Sequence, residues 1–445
     1  MISFNNKKLN QISIYVIPVI TFSFFLGVYL FARTFMGIYI LGFRLGELAI
    51  LFSLLALIIS IMFWNKFKYI ELFKNTRLRL ILILLIISFI LNVILSGSSL
   101  FNPYTFKSSS YIWSMGFLFF GLFYSYYFKI NQGIIRLFIF LNFYLYYFSF
   151  FGVNDEFQKQ LLNISDKFEY HKGSDVFLLL TTSLFLMNRF EKKKRFALEV
   201  LLLTYSFFSP LLLYKSRGAF IGFTLFFLLE LINLKKSFKK PIVRNISILF
   251  LMTILFFQSL SLVTKSGLVK VDEVRENVEF ISSYRALPSS EIFEQKLLYA
   301  YEGKIYSSDG NLNWRLQIWQ DVVFDLISKN KYLTGYGYNS IIPAMDDPFR
   351  AGDDGTNENV HNFFINIFAR GGLIHLLLFI LFFIQIYIYS SRFKDIKIMN
   401  FLLPVFLVSF FDSSMENSHF PLIVYFIIGS LMQFNKNIQN KDEVS

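Results

Sequence analysis

Three short segments hold side chains that could do chemistry together. KSRGAF (215–220) carries Arg217, NWRLQIW (313–319) carries Arg315, and ENVHNFF (358–364) carries His361. Two guanidinium groups can hold a pyrophosphate bidentately and neutralise its charge without a metal. A neutral imidazole beside them can take the proton of an incoming hydroxyl. The combination fits glycosyl transfer from a lipid-pyrophosphate donor. Each residue also has a plainer reading. Arg217 could snorkel to an interface, Arg315 could be a surface arginine, and His361 an ordinary interfacial histidine. Residue types and charge alone leave both readings open.

The local sequence sharpens the case for His361. Asn357 or Asn359 is placed to cap a helix, which would leave His361 in its first turn. A helix start disfavours the protonated imidazole. His171 and His419 fall in or beside short loops, and His375 lies in an apolar run. The acidic residues Asp346, Asp347, Asp353, Asp354 and Glu358 could attract a divalent cation, but they lack EF-hand spacing and sit among Gly and Pro. A solvated loop is the simpler reading, so no metal site and no cofactor are expected. With no cysteine, disulfides and thiolate metal sites are excluded. Gly-rich phosphate loops, HExxH and GxSxG patterns are also missing from the sequence.

The elements that must position these residues are membrane helices. Of the 445 residues, 55% are hydrophobic and only 16% charged, with a mean hydropathy of +0.52. Apolar stretches near the length of a bilayer span recur along the whole chain. They lie near 11–32, 46–64, 79–96, 111–128, 134–151, 174–188, 196–213, 218–233, 246–263, 361–390, 398–411 and 419–434. The shortest, 174–188 and 398–411, are the least obvious. Twelve spans put both termini on one side. Lys66, Lys68, Lys74, Arg77 and Arg79, the run Arg189 to Arg195 and the run Lys235 to Arg244 then all face the cytoplasm. That agrees with the positive-inside rule. The net charge of +13 is thus a topology signal, and nucleic acid is not an expected partner. The first apolar segment reads as a retained helix rather than a signal peptide, because no small-residue cleavage site follows.

Residues 264–360 form one large polar loop on the non-cytoplasmic side, with 15 Asp and Glu against 10 Lys and Arg. Within it, 312–328 has helical spacing through Trp319, Val322, Val323, Leu326 and Ile327. Lys329, Asn330 and Lys331, and then Gly335 and Gly337, would end that helix. The fold class is therefore an all-α integral membrane protein of about twelve transmembrane helices, both termini cytoplasmic, with one large external loop containing short helices. Residues 1–190 read as an N-terminal bundle, 191–434 as the region carrying the chemistry, and 435–445 as a polar, mobile cytoplasmic tail.

The order of motifs adds a resemblance. KSRGAF, then a long loop with NWRLQIW, then LTGYGYNS and VHNFFINIFARGGLIHLLLF together resemble the O-antigen ligase and polymerase superfamily, from about residue 200 to 390. The N-terminal half is similar only in helix pattern. Each motif alone is weak; their combination is fairly specific. The resemblance implies an integral glycosyltransferase of the bacterial inner membrane, working at the periplasmic face on undecaprenyl-pyrophosphate-linked glycans, without a metal and with inversion. It implies that Arg217 and Arg315 contact the donor pyrophosphate, that His361 activates the acceptor, and that Gly335–Gly337 is a structural turn. The partners would be a lipid-linked oligosaccharide, a glycolipid or glycan acceptor, and membrane lipids. The single long loop before the VHN helix favours a ligase acting on lipid A–core. A polymerase would suit a second important outer loop, for which 152–173 is a candidate, and a protein O-oligosaccharyltransferase shares the same motifs. A transporter is the alternative of another class; it would call for charges at mid-membrane and an internal repeat. The sequence has few of the former, Glu230 near a cytoplasmic end apart, and no evident repeat.

Overall fold

The computed structural model describes residues 6–442 except 100–101, 129–130, 152–155, 157–158, 161–162, 164, 166–170, 236–241, 266–297, 302, 347–349, 351–357 and 392–396. In chain order the helices are α1 (Asn6–Met36), α2 (Leu45–Met62), α3 (Thr76–Leu95), α4 (Pro103–Ser108), α5 (Ser110–Trp113), α6 (Phe117–Tyr127) and α7 (Gln132–Phe151). Then come α8 (Gly173–Phe190), α9 (Lys194–Lys215), α10 (Arg217–Leu234), α11 (Ile242–Lys265), α12 (Gly310–Ser328), α13 (Phe363–Ser390), α14 (Met399–Phe411) and α15 (His419–Asp442). Two short antiparallel hairpins interrupt them: β1 (Tyr39–Ile40) with β2 (Phe43–Arg44), and β3 (Leu298–Tyr301) with β4 (Lys304–Ser307).

All twelve apolar segments fall on helices, including the two shortest, which are α8 and α14. Among the described residues, seven helical stretches are long and apolar enough to cross a membrane: Val16–Met36, Leu45–Met62, Thr76–Leu95, Lys194–Lys215, Arg217–Leu234, Arg244–Thr264 and Phe363–Ser390. The α3 helix shows why lipid is the solvent. It buries Leu78, Leu82, Leu85 and Phe89 and exposes Leu80, Leu84, Ile87 and Leu91 on its other side. A helix apolar all round is stable only where both faces avoid water. Helix α8 differs for a physical reason. Most of its side chains are buried by neighbouring helices, so it carries Ser, Thr, Asp and Asn that a lipid-facing helix could not. The last helix runs on to Asp442, through residues that the sequence reads as a tail.

The two ends of the bundle are built differently. At one end Glu230, fully buried, accepts from Arg189 at 2.6 Å, Asn188 at 3.0 Å and Asn400 at 2.8 Å. This joins the ends of α8 and α10 to the start of α14. At the other end α8, α10, α13 and α15 begin and α14 finishes, and helix α12 packs there. We call this the loop end.

A break in α13 anchors the loop end. Gly372 has φ 71° and ψ −175°, so the helix is interrupted inside the bundle. Irregular backbone is tolerated at such depth only where protein satisfies it. The GYG segment does this: Tyr336 N–H donates to Ala369 O at 2.8 Å, Gly337 N–H to Arg370 O at 3.0 Å, and Leu373 N–H to Tyr332 O at 2.8 Å. Gly335, at φ 75°, lies so close that a Cβ would collide with Arg370 O. These glycines therefore do not end the loop helix, as the sequence reading has it. That helix stops at Asn330, whose φ of 53° makes a left-handed cap, with Lys331 N–H on Leu326 O at 2.8 Å and Asn330 N–H on Ile327 O at 3.1 Å.

Candidate active site

Helix α12 is the platform. Asp309 caps it, its Oδ1 accepting from Leu312 N–H at 2.9 Å. Its buried face is Ile318, Trp319, Val322 and Leu326, packed on Tyr336, Ile342, Met345 and Val360. Ile327, which the sequence places on that face, is 55% exposed. Trp319 Nε1 donates to Val360 O at 2.8 Å, which fixes the residue before His361 against the helix. One turn back, Trp314 meets the imidazole of His361 with ring centroids 4.9 Å apart. Its neighbour Arg315 donates through Nη1 to Phe411 O, at the end of α14, at 2.5 Å. The Nε of Arg315 is buried with no hydrogen-bond partner among the described residues. Burial draws the pKa of Arg315 below the usual arginine value, against the opposing pull of Asp412 and Asp309.

Arg217 reaches the same helix at its cap. It is the first residue of α10, where Ser216 caps by accepting from Ala219 N–H at 3.3 Å. Its guanidinium pairs with Asp309, and 73% of the side chain stays exposed. The adjacent Gly218 lets α10 approach α14: a Cβ there would come within 2.9 Å of Phe411 Cβ. Arg217 and Arg315 thus converge through Asp309 and Phe411, although nearly a hundred residues separate them in sequence.

His361 is not in the first turn of α13. The cap is Asn362, whose Oδ1 accepts from Phe364 N–H and Ile365 N–H, each at 3.0 Å. Asn359 does not serve, and Asn357 lies outside the described residues. His361 stands just before the cap with φ 52°, a left-handed conformation uncommon for a non-glycine residue. Such positions cluster at functional sites. Its pKa is lowered to about 4, first by burial, then by the Arg315 and Lys172 charges, with Asp412 opposing. The imidazole is therefore neutral at physiological pH, as the sequence suggests, but burial is the main cause and not a helix start.

Residues 200–380 match the O-antigen ligase family. The matched stretch contains all three segments that carry Arg217, Arg315 and His361, and it bears out the resemblance read from their order. A membrane enzyme of glycosyl transfer follows from this family in general terms. No curated protein sequence matches the chain.

The other candidate residues fall around the O-antigen ligase region in different roles. His375 is buried in α13, with Nδ1 3.3 Å from Ser88 Oγ and its ring edge-on to Tyr111. His171 Nε2 lies 3.3 Å from Tyr29 O. His419 pairs with Asp175. Glu358 meets Lys107 at 3.3 Å, and Asp347, Asp353 and Asp354 lie outside the described residues. Among the described residues, no three His, Cys, Asp or Glu side chains are grouped to hold a metal ion. Sequence reasoning missed Asp309, Trp314, Asp412 and Lys172. A signal existed for Asp309, since Ser-Ser-Asp-Gly precedes the helix and Asp is a favoured cap. Asp412 sits between the last two apolar segments, where nothing in the sequence ties it to a helix in the loop.

Proposed function

We propose that this chain is a metal-independent glycosyltransferase that moves a glycan from undecaprenyl pyrophosphate to lipid A–core at the periplasmic face of the bacterial inner membrane. The observation that carries the reading is the convergence of Arg217, Arg315 and His361 on helix α12. In the step we infer, the acceptor hydroxyl oxygen attacks the anomeric carbon. The bond from that carbon to the pyrophosphate oxygen breaks, and its electron pair leaves with undecaprenyl pyrophosphate. The hydroxyl proton passes to His361. Arg217 and Arg315 bind the phosphates and stabilise the charge that develops on the leaving group. The starts of α8, α10 and α13, gathered at the loop end, add partial positive charge where an anion would sit.

In this reading all twelve apolar segments cross the membrane, both termini are cytoplasmic, and the loop end with 264–360 is external. Residues 1–190 form the supporting bundle, 191–434 the catalytic region, and 435–445 the cytoplasmic end. The basic residues at the Glu230 end, Arg189, Lys192, Lys193, Lys194 and Arg195, support that orientation. A single cysteine introduced near residue 300 of this cysteine-free chain should label with an impermeant reagent in intact spheroplasts. Labelling only after the cytoplasmic side is opened would reverse the topology.

Among the described residues, buried ionisable pairs lie near the two ends of the bundle, Asp175 with His419 at one and Arg189 with Glu230 at the other. The buried Arg370 is held beside the break in α13, donating to Ser340 O and Tyr104 Oη. A transporter would place such groups along a path at mid-membrane. The acceptor is tested by the glycans of a deletion strain. Loss of long chains from lipid A–core, with polymer still on the carrier lipid, is the expected result. A single repeat unit on the core would instead identify a polymerase.

A further inference from the structure

The start of α8 holds ionisable groups that the reaction as described does not use. Asp175 Oδ1 accepts from His419 Nε2 at 2.8 Å, and the two side chains are only 7% and 3% exposed. A carboxylate and an imidazole buried inside an apolar bundle are costly to place there and need a reason. The second carboxylate oxygen gives one. Asp175 Oδ2 accepts from the backbone N–H of Lys172 at 3.2 Å, so the pair fixes the residue that begins the helix. Lys215 holds the same stretch from α9, donating to His171 O at 3.0 Å.

That stretch abuts the arginine clamp. Gly173 packs on Ser216, and a Cβ there would sit 2.5 Å from Ser216 Cβ. Ser216 is the cap of α10 and Arg217 follows it. Lys172 and Arg217 therefore flank one helix contact, each a residue away from it. The Lys172 side chain is exposed, and its charge is felt at His361.

We infer that Lys172 is a third cationic contact for the pyrophosphate, held in place by the buried Asp175–His419 pair, and that it matches the charge gained by the leaving group. The inference rests on the reading given under Proposed function. The charge count supports it. A lipid-pyrophosphate-glycan is a diester with one negative charge on each phosphate. When the bond to the sugar breaks, the electron pair adds a third charge to the departing undecaprenyl pyrophosphate. Arg217 is also paired with Asp309, so the two arginines alone do not match these charges. Lys172, exposed beside the Gly173–Ser216 contact, brings a further cation to this end of the bundle. An interaction stronger in the transition state and product than in the bound donor raises turnover rather than donor affinity. Asp175 and His419 act through Lys172 and are positioning residues.

The test compares the affinity of purified full-length protein for undecaprenyl pyrophosphate and for the lipid-pyrophosphate-linked glycan. Lys172→Gln should weaken undecaprenyl pyrophosphate roughly 10- to 100-fold, the range of one charge-assisted hydrogen bond. It should leave donor affinity nearly unchanged, and Lys172→Arg should restore the product affinity. Asp175→Asn should reproduce the Lys172→Gln effect, and the double variant should be no worse than either. Equal affinity of wild type and Lys172→Gln for undecaprenyl pyrophosphate would overturn the inference. So would additive losses in the double variant, which would make Asp175 a merely structural group. If wild type binds neither lipid, the glycosyltransferase reading itself fails, and the inference falls with it.

Discussion

Replacing His361 by alanine or asparagine is expected to cut turnover by about 100- to 10,000-fold, the usual range for a lost general base. Donor affinity should stay close to wild type, because Arg217 and Arg315 remain. Asparagine is the cleaner substitution. Its side chain tolerates the left-handed backbone that His361 adopts at φ 52°, so a loss of activity cannot be assigned to backbone strain. His171→Ala should be much milder on turnover, since its ring is buried against Tyr29 O. His419→Ala should cost no more than loss of the Lys172 contact it helps to position.

The pH dependence follows from the same site. His361 titrates near 4 in the free protein, so kcat/KM should hold down to about that pH and fall below it, as the base becomes protonated. A bound pyrophosphate brings negative charge beside Arg315 and the imidazole, which favours the protonated ring. The acid limb of kcat should therefore lie at higher pH than that of kcat/KM. Glu416 is a second group to separate. Burial pushes its carboxyl up to about 7, with Arg370 opposing, and it accepts from Asn366 at 2.8 Å. An inflection near 7 that survives in His361→Asn and disappears in Glu416→Gln would belong to Glu416. Near-normal transfer by His361→Asn, or a loss confined to donor affinity, would take the base role from the histidine.

The second large effect is expected at the arginines. Arg315→Lys and Arg217→Lys keep the charge and lose the planar fork. Arg315 uses one nitrogen to hold Phe411 O, and in the proposed reading its other nitrogens meet the pyrophosphate; an ammonium at the end of a lysine cannot do both. Loss of one such group that stabilises developing charge typically costs about 100- to 1,000-fold in turnover. Arg315→Lys should reach that range. Arg217→Lys should fall short of it, since the residue is mostly exposed and its contact to Asp309 can be made by lysine. Insertion and thermal stability should be unaffected at Arg217. Wild-type activity in both variants would remove the pyrophosphate clamp.

Much of this was legible in the sequence because membrane helices announce themselves. The apolar segments needed only length and composition, and α12 was visible from its spacing. What failed depended on partners far along the chain. The cap of α13 could not be assigned among several asparagines without knowing that Trp319 holds Val360. Gly335 and Gly337 look like helix stops until the break at Gly372 shows what their neighbours must satisfy. The polar side chains of α8 make it a weak span in sequence, yet they follow from its place inside the bundle. Asp309 and Asp412 join the site only because α10, α12 and α14 meet, and no local pattern encodes that meeting.

The central claim is glycan transfer by the Arg217, Arg315 and His361 site without a metal. Its most direct test is transfer by the purified chain in liposomes with EDTA present, given a lipid-pyrophosphate-linked glycan and lipid A–core. The expected result is one undecaprenyl pyrophosphate released for each glycan joined to the core, with the yield collapsing in His361→Asn and in Arg315→Lys. Activity that EDTA abolishes and magnesium or manganese restores would contradict the account, as would full transfer by both variants.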